Sequence, residues 1–121
     1  MASYSRRRHL WLLSSLGLAT GIAALTLTGP TAIRVPAVGS DKVYHAIAFA
    51  MLVLPTAVLK PDRLTLVTVL AFGYGVMLEA VQPLVGRTME LADILANTVG
   101  ILAAYALGKA TQHFLDTFWR R

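Results

Sequence analysis

Eight polar side chains interrupt an otherwise apolar sequence, and their types suit either proton transfer or the binding of a charged group. Asp41 and His45 lie four residues apart, so they share one helix face and form a candidate acid–base pair. Lys42 and Arg87 could hold a phosphate or carboxylate, since arginine offers a planar fork of donors and lysine a point charge. The candidate site residues are Asp41, Lys42, His45, Glu79, Gln82, Arg87, Asp93 and Asn97.

The other pairs in this set also have helical spacing. Glu79 and Gln82 are three residues apart and Asp93 and Asn97 are four apart, so each pair shares a helix face. An ionisable side chain in the hydrocarbon of a membrane costs about 2.5–3.5 kcal/mol unless it is paired or hydrated. These side chains are therefore expected to face protein or trapped water and not lipid.

The composition indicates an integral membrane protein with a single unit over residues 1–121. Of 121 residues, 56% are hydrophobic and 14% are charged, whereas a soluble domain carries about 25% charged residues. The chain has no cysteine, which excludes a disulfide, a thiolate nucleophile and a cysteine metal site. Its net charge of +5 is concentrated at the termini, a pattern typical of membrane orientation, and no nucleic-acid partner is expected.

Four apolar segments are each close to the about 20 residues that a helix needs to cross the hydrocarbon core. Gly29-Pro30 ends the first segment, and the tight turn at residues 60–63 makes the second and third helices antiparallel neighbours. The predicted fold class is all-α, a four-transmembrane-helix bundle. Its predicted spans are residues 10–28, 43–59, 64–85 and 91–108, followed by an amphipathic tail over 109–121.

The first apolar segment, which follows Arg6, Arg7 and Arg8, could instead be a signal peptide. The apolar core of a signal peptide has about 7–15 residues, and residues 10–28 exceed that length. We therefore expect the segment to remain as a transmembrane helix, peripheral to the polar site.

The distribution of lysine and arginine favours one orientation. With four spans, both termini and the turn at residues 60–63 share one side of the membrane. The positive-inside rule places the more basic side in the cytoplasm, so both termini are predicted to be cytoplasmic. That side carries Arg6, Arg7, Arg8, Lys60, Arg63, Lys109, Arg120 and Arg121, against Arg34, Lys42 and Arg87 on the other.

The predicted topology brings the scattered polar residues to one end of the bundle. The second span begins on the outer side, the third ends there and the fourth begins there. Asp41, Glu79 and Asp93, which belong to three different spans, should therefore meet at the extracytoplasmic end. Asn97 should lie roughly 9 Å below Leu91, because a helix rises 1.5 Å per residue.

The fourth span carries a small residue at every fourth position, which allows another helix to approach closely. Packing within the chain is one interpretation, and a helix of a partner protein is the other. The stripe consists of Ala92, Ala96, Gly100, Ala104 and Gly108. In the tail, Phe114, Leu115 and Phe118 share one face with Trp119 nearby, so the tail could lie along the cytoplasmic interface.

The order and spacing of these motifs resemble the VanZ-like family of small helical membrane proteins, named for a protein that raises resistance to teicoplanin. The resemblance covers roughly residues 41–108, and Glu90 adds a carboxylate at the mouth of the site. It implies that the matching positions form the polar site of the family, and it supplies no reaction. The motifs are Asp41-Lys42-x-x-His45, Glu79-x-x-Gln82, Gly86-Arg87, Asp93-x-x-x-Asn97 and Gly100.

Four interpretations of the polar residues stay open. A fully paired network could fix helix packing without binding anything. A site for an anionic lipid or envelope-precursor head group would use Lys42 and Arg87. A catalytic site would use His45 with Asp41 or Glu79, or a divalent metal bound by His45, Glu79 and Asp93. An accessory subunit of a larger membrane complex would use the small-residue stripe.

We expect the head-group site, in a multi-pass protein of the bacterial inner membrane that has lipids as partners and modulates the envelope. No cofactor and no metal is expected, and no serine nucleophile signature or HExxH motif is present. Catalysis is not the expected role.

Overall fold

All four predicted spans are helical in the computed structural model, which describes residues 2–28 and 41–119, and the all-α prediction is confirmed. The predicted break at Gly29-Pro30 and most of the first loop lie outside these residues. Short 3₁₀ turns over Pro61–Arg63 and Gln82–Val85 follow the second and third helices. The helices are α1 (Ala2–Leu27), α2 (Asp41–Leu59), α3 (Leu64–Val81) and α4 (Leu91–Trp119).

Several helix boundaries differ from the predicted spans, among them the start of α1, which lies at Ala2 and not at residue 10. α3 ends at Val81, because Pro83 has no N–H to continue the helical hydrogen bonds, and the chain turns at Gly86 with a φ of 78°. Only glycine adopts this left-handed conformation without strain. α4 continues as one helix to Trp119, so the predicted tail is a helical extension and not a separate element.

The helices alternate in direction, and contacts at each end of the bundle show which ends meet. At one end Lys60 Nζ donates to the Tyr4 hydroxyl at 3.0 Å, which joins the start of α1 to the end of α2. At the other end Arg87 donates to the Thr28 carbonyl at 3.2 Å. The start of α2, the end of α3 and the start of α4 therefore lie at one end, which we call the polar end.

α2 and α4 pack together more extensively than any other helix pair in the described residues, and glycine allows their close approach. A Cβ on Gly100 would overlap the Ala46 carbonyl oxygen and lie 2.7 Å from the Ala46 carbonyl carbon. A Cβ on Gly108 would lie 2.9 Å from the Ala57 Cβ and 2.8 Å from Leu64 Cδ2. The buried part of the small-residue stripe thus packs within the chain, whereas Ala92 is exposed.

The core is small, and much of the apolar surface faces outward. Phe49, Val53 and Leu64 are almost fully buried between the helices. Exposed apolar residues occur on every helix, and this pattern suits a bundle surrounded by lipid, because lipid tails solvate apolar side chains. Examples are Leu13, Leu16, Val58, Val69, Leu70, Leu95, Val99 and Leu107.

Candidate functional site

Lys42 connects the start of α2 to the start of α4 at the polar end. Its ammonium group donates to the carboxylates of both Glu90 and Asp93. Asp93 is 5% exposed, whereas Glu90 is exposed in the loop before α4. The hydrogen bond from the Lys42 ammonium, together with its positive charge, lowers the pKa of the Glu90 carboxyl below its ordinary value. Glu90 therefore stays ionised at neutral pH, and Lys42 is shared between two negative groups.

His45 lies one turn below Lys42 on the buried side of α2. Its Nδ1 is 2.9 Å from the Asn97 Oδ1, a hydrogen bond that crosses from α2 to α4. Its Nε2 is 3.6 Å from the Asp93 Oδ2, and its Nδ1 is 4.0 Å from the Glu79 Oε1. The imidazole thus faces a carboxylate of α3 and both a carboxylate and an amide of α4.

Glu79 is fully buried, and its two carboxylate oxygens differ in their partners. Oε2 accepts from the Glu90 backbone N–H at 3.4 Å. The Gln82 side-chain amide is oriented so that both its oxygen and its nitrogen have partners. In this orientation the nitrogen donates to Glu79 Oε2 at 2.9 Å and to the Thr88 carbonyl at 3.2 Å. Oε1 has no hydrogen-bond partner in the described part of the chain. Glu79 therefore anchors the loop before α4 with one oxygen and leaves the other unpaired.

Arg87 lies at the same end but outside this network. Its guanidinium donates to the Thr28 carbonyl of α1, and its backbone N–H donates to the Gln82 carbonyl at 3.1 Å. The side chain is half-buried, and within residues 2–28 and 41–119 it forms no ion pair. Its positive charge is thus not neutralised by the nearby carboxylates.

Asp41 is exposed at the first position of α2. Together with the buried His45 and Asp93 it offers three potential metal-ligand atoms that lie within 4.8 Å of one another. The polar end therefore combines Asp41, Glu79, Glu90 and Asp93 with the charge of Lys42. The cluster is acidic, and Arg87 stands beside it.

Phe49, Gly75 and Asn97 pack closely together on the side of the site that faces the interior of the bundle. The Phe49 ring lies one turn below His45 and packs beside Tyr74, with 6.4 Å between the ring centroids. A Cβ on Gly75 would lie 3.1 Å from Phe49 Cε1 and 3.2 Å from Asn97 Nδ2. Gly75 thus allows Phe49 and Asn97 to close the site from below, a role that its sequence position did not reveal.

The structure brings the predicted site residues to one end, with different roles. Asp41 lies at the exposed edge of a connected cluster, and Arg87 lies apart from it. The cluster consists of Lys42, His45, Glu79, Gln82, Asp93 and Asn97. The partnership of Lys42 with Glu90 was missed, because 48 residues separate them and no local spacing signals the contact.

The Trp11 side chain of α1 points its indole N–H toward α2. It donates to the buried Thr56 hydroxyl at 2.8 Å, beside Pro55 within α2. Similarly, the Tyr74 hydroxyl donates to the Ala19 carbonyl at 2.5 Å. These contacts attach α1 to α2 and α3, so α1 contributes to the bundle although it carries no acidic site residue.

Comparison with known protein families gives a match over most of the chain. No curated protein and no solved structure was found to match the chain. A family model described as VanZ/LLP1 matches residues 4–112, which extends through α1 and reaches well into α4. The match starts much earlier than residue 41, where the motif resemblance begins. All four helices are also long and apolar enough to cross a membrane. The chain is a multi-pass membrane protein that belongs to the VanZ/LLP1 family.

Proposed function

We propose that this protein binds the anionic head group of a membrane lipid or lipid-linked envelope precursor and thereby modulates the cell envelope. The proposed site is the polar end of the bundle, at the outer face of the bacterial inner membrane. The observation that carries the proposal is Arg87, a half-buried cation without an ion pair in the described residues, beside a buried polar cluster. One of its donors is used by the Thr28 carbonyl, and a guanidinium has five.

The structure favours Arg87 over Lys42 as the group that contacts the anion. Lys42 already donates to the carboxylates of Glu90 and Asp93, so an incoming phosphate would have to displace them. Arg87 needs no such displacement, and its planar fork can bind two phosphate oxygens at once. We assign Lys42 to holding the loop before α4 in place, and Arg87 to binding the head group.

The orientation follows from the positive-inside rule, as predicted from the sequence. The more basic side of the bundle contains the turn at Pro61–Arg63, which lies opposite the polar end. If that turn is cytoplasmic, the polar end opens toward the outer leaflet. Lipids of the outer leaflet and lipid-linked precursors can reach a site at that position.

The test is the identity of lipids that remain bound after purification from native membranes in a mild detergent. We expect wild-type protein to retain a defined anionic lipid or precursor in near-stoichiometric amount, and Arg87→Ala to lose at least about tenfold of it. A tenfold loss corresponds to about 1.4 kcal/mol, which lies within the range of hydrogen bonds to charged groups. Mass spectrometry of the extracted lipids gives the amounts.

Arg63→Ala is the matched control, because Arg63 is exposed at the opposite end and its ion pair with Asp62 is solvated. It should retain the same lipid as the wild type. Equal lipid retention in wild type and Arg87→Ala, with both proteins folded, would refute the head-group site. Isolation in a stoichiometric complex with a larger membrane protein, without a retained lipid, would favour the accessory-subunit interpretation. The packing of Gly100 and Gly108 against α2 and α3 leaves less of the stripe for such a partner.

A further inference from the structure

The two ring nitrogens of His45 have different surroundings, which determine where its proton lies. Nδ1 is 2.9 Å from the Asn97 Oδ1, and an amide oxygen can only accept a hydrogen bond. Nδ1 therefore carries the proton in the neutral ring, and Nε2 keeps its lone pair. Metal-binding histidines commonly have this arrangement, in which a partner of one nitrogen orients the other toward the metal.

The lone pair of His45 Nε2 faces a carboxylate oxygen, not a donor. Asp93 Oδ2 lies 3.6 Å away, beyond normal hydrogen-bond distance. Two ligand atoms that share a tetrahedral zinc ion at about 2.0–2.1 Å are about 3.3–3.4 Å apart. The observed separation is thus close to that of two ligands on one ion.

The other oxygen of Asp93 is held by Lys42, so the carboxylate is oriented from outside the cluster. Asp41 supplies a third ligand atom, and all three lie within 4.8 Å of one another. Asp41 is exposed, so its carboxylate can be reached from the aqueous phase. The three residues come from the first turns of α2 and α4, whose close packing at Gly100 fixes their separation.

Glu79 provides an independent indication that a positive charge belongs here. Its side chain is 1% exposed, and its Oε1 has no hydrogen-bond partner in the described residues. This oxygen faces the His45 ring, with 4.0 Å to Nδ1. Leaving a buried acceptor unpaired is costly, more so for a charged group. A cation bound at Nε2 would draw electron density from the imidazole. The Nδ1 side of the ring would then be more positive and would attract the Glu79 carboxylate.

We propose that Asp41, His45 and Asp93 bind one divalent transition-metal cation of the zinc class at the polar end. One imidazole and two carboxylates are ligands that zinc accepts, and three protein ligands leave a position for water or a ligand atom. Glu79 lies on the Nδ1 side of the His45 ring, away from the metal, and its carboxylate compensates the added positive charge. The expectation of no metal, drawn from the sequence, is replaced by this proposal.

The test uses the full-length chain without a histidine tag, purified in detergent with a chelator and then freed of it. Titration with zinc chloride, followed by calorimetry and by metal analysis after gel filtration, should give one zinc per chain. Asp41→Asn should weaken zinc binding at least about tenfold, as should His45→Gln and Asp93→Asn. Asp41→Asn is the decisive variant, because Asp41 is exposed and its amide should leave the fold unchanged.

Two controls separate this site from adventitious binding. His113→Gln removes a histidine far from the polar end, and Asp62→Asn removes an exposed carboxylate at the opposite end. Both should bind zinc like the wild type. The proposal is overturned if the wild type binds no zinc, if Asp41→Asn binds it equally, or if calcium or magnesium at equal concentration displaces it. Because the titration contains no lipid, the result does not depend on the head-group site.

Discussion

Replacing Gly100 with alanine is expected to abolish the folded bundle. The added Cβ would overlap the Ala46 carbonyl oxygen and lie 2.7 and 2.9 Å from the carbonyl carbon and Cα of Ala46. All three atoms belong to the backbone of α2, so no rotamer change can relieve the clash. Overpacking against mobile side chains costs about 1–3 kcal/mol, and here the helices themselves must separate. We expect a loss of monodisperse protein in gel filtration and a large fall in thermal stability.

Gly73→Ala is the matched control for this substitution. Gly73 lies in the middle of α3, and an added Cβ would meet nothing within 4 Å. Alanine also has the higher helix propensity, so Gly73→Ala should be neutral or slightly stabilising. A Gly100→Ala protein with wild-type stability would show that α2 and α4 do not approach as closely as described, and the site geometry would then need revision.

Lys42→Ala is expected to destabilise the protein strongly, and neutralising its buried partner should restore part of the loss. Removing the ammonium leaves the Asp93 carboxylate buried without its cation. Breaking a buried ion pair costs about 3–5 kcal/mol, and the loss should lie near the lower end because Lys42 is 33% exposed. The measurement is thermal or denaturant unfolding of the purified protein in detergent.

The double variant Lys42→Ala/Asp93→Asn tests the mechanism of that loss. An amide needs no counter-charge, so the double variant should be more stable than Lys42→Ala alone. Arg63→Ala should change stability by less than about 1 kcal/mol, because its ion pair with Asp62 is exposed. Equal stability of Lys42→Ala and the double variant would mean that the Lys42–Asp93 contact does not carry the effect.

The helices and their order were predictable because apolar length is a strong signal, whereas their exact ends were not. The end of α3 depends on Pro83 and Gly86 within the predicted span of residues 64–85. An amphipathic tail over residues 109–121 was predicted, but the sequence did not show that it continues α4 as one helix to Trp119. The family was also recognisable, since its motifs are spread in order over the chain.

The pairing within the site was only partly predictable, because it depends on contacts between distant segments. The predicted topology placed His45 and Asp93 at the same end, but it did not show that the Asn97 Oδ1 pairs with the His45 Nδ1. Both Lys42 and Arg87 were expected to bind the anion. The structure separates them, since Lys42 donates to two carboxylates and Arg87 to a backbone carbonyl of α1.

We propose that the polar end of this membrane bundle opens to the outside of the cell, and cysteine labelling tests this orientation most directly. The chain has no native cysteine, so single variants report one position each. Met89→Cys lies exposed in the loop at the polar end, and Asp62→Cys lies exposed in the turn at the opposite end. In intact spheroplasts, a membrane-impermeant maleimide should label Met89→Cys at once, and Asp62→Cys only after the membrane is permeabilised. The reverse pattern would place the polar cluster in the cytoplasm and contradict a site for ligands of the outer leaflet.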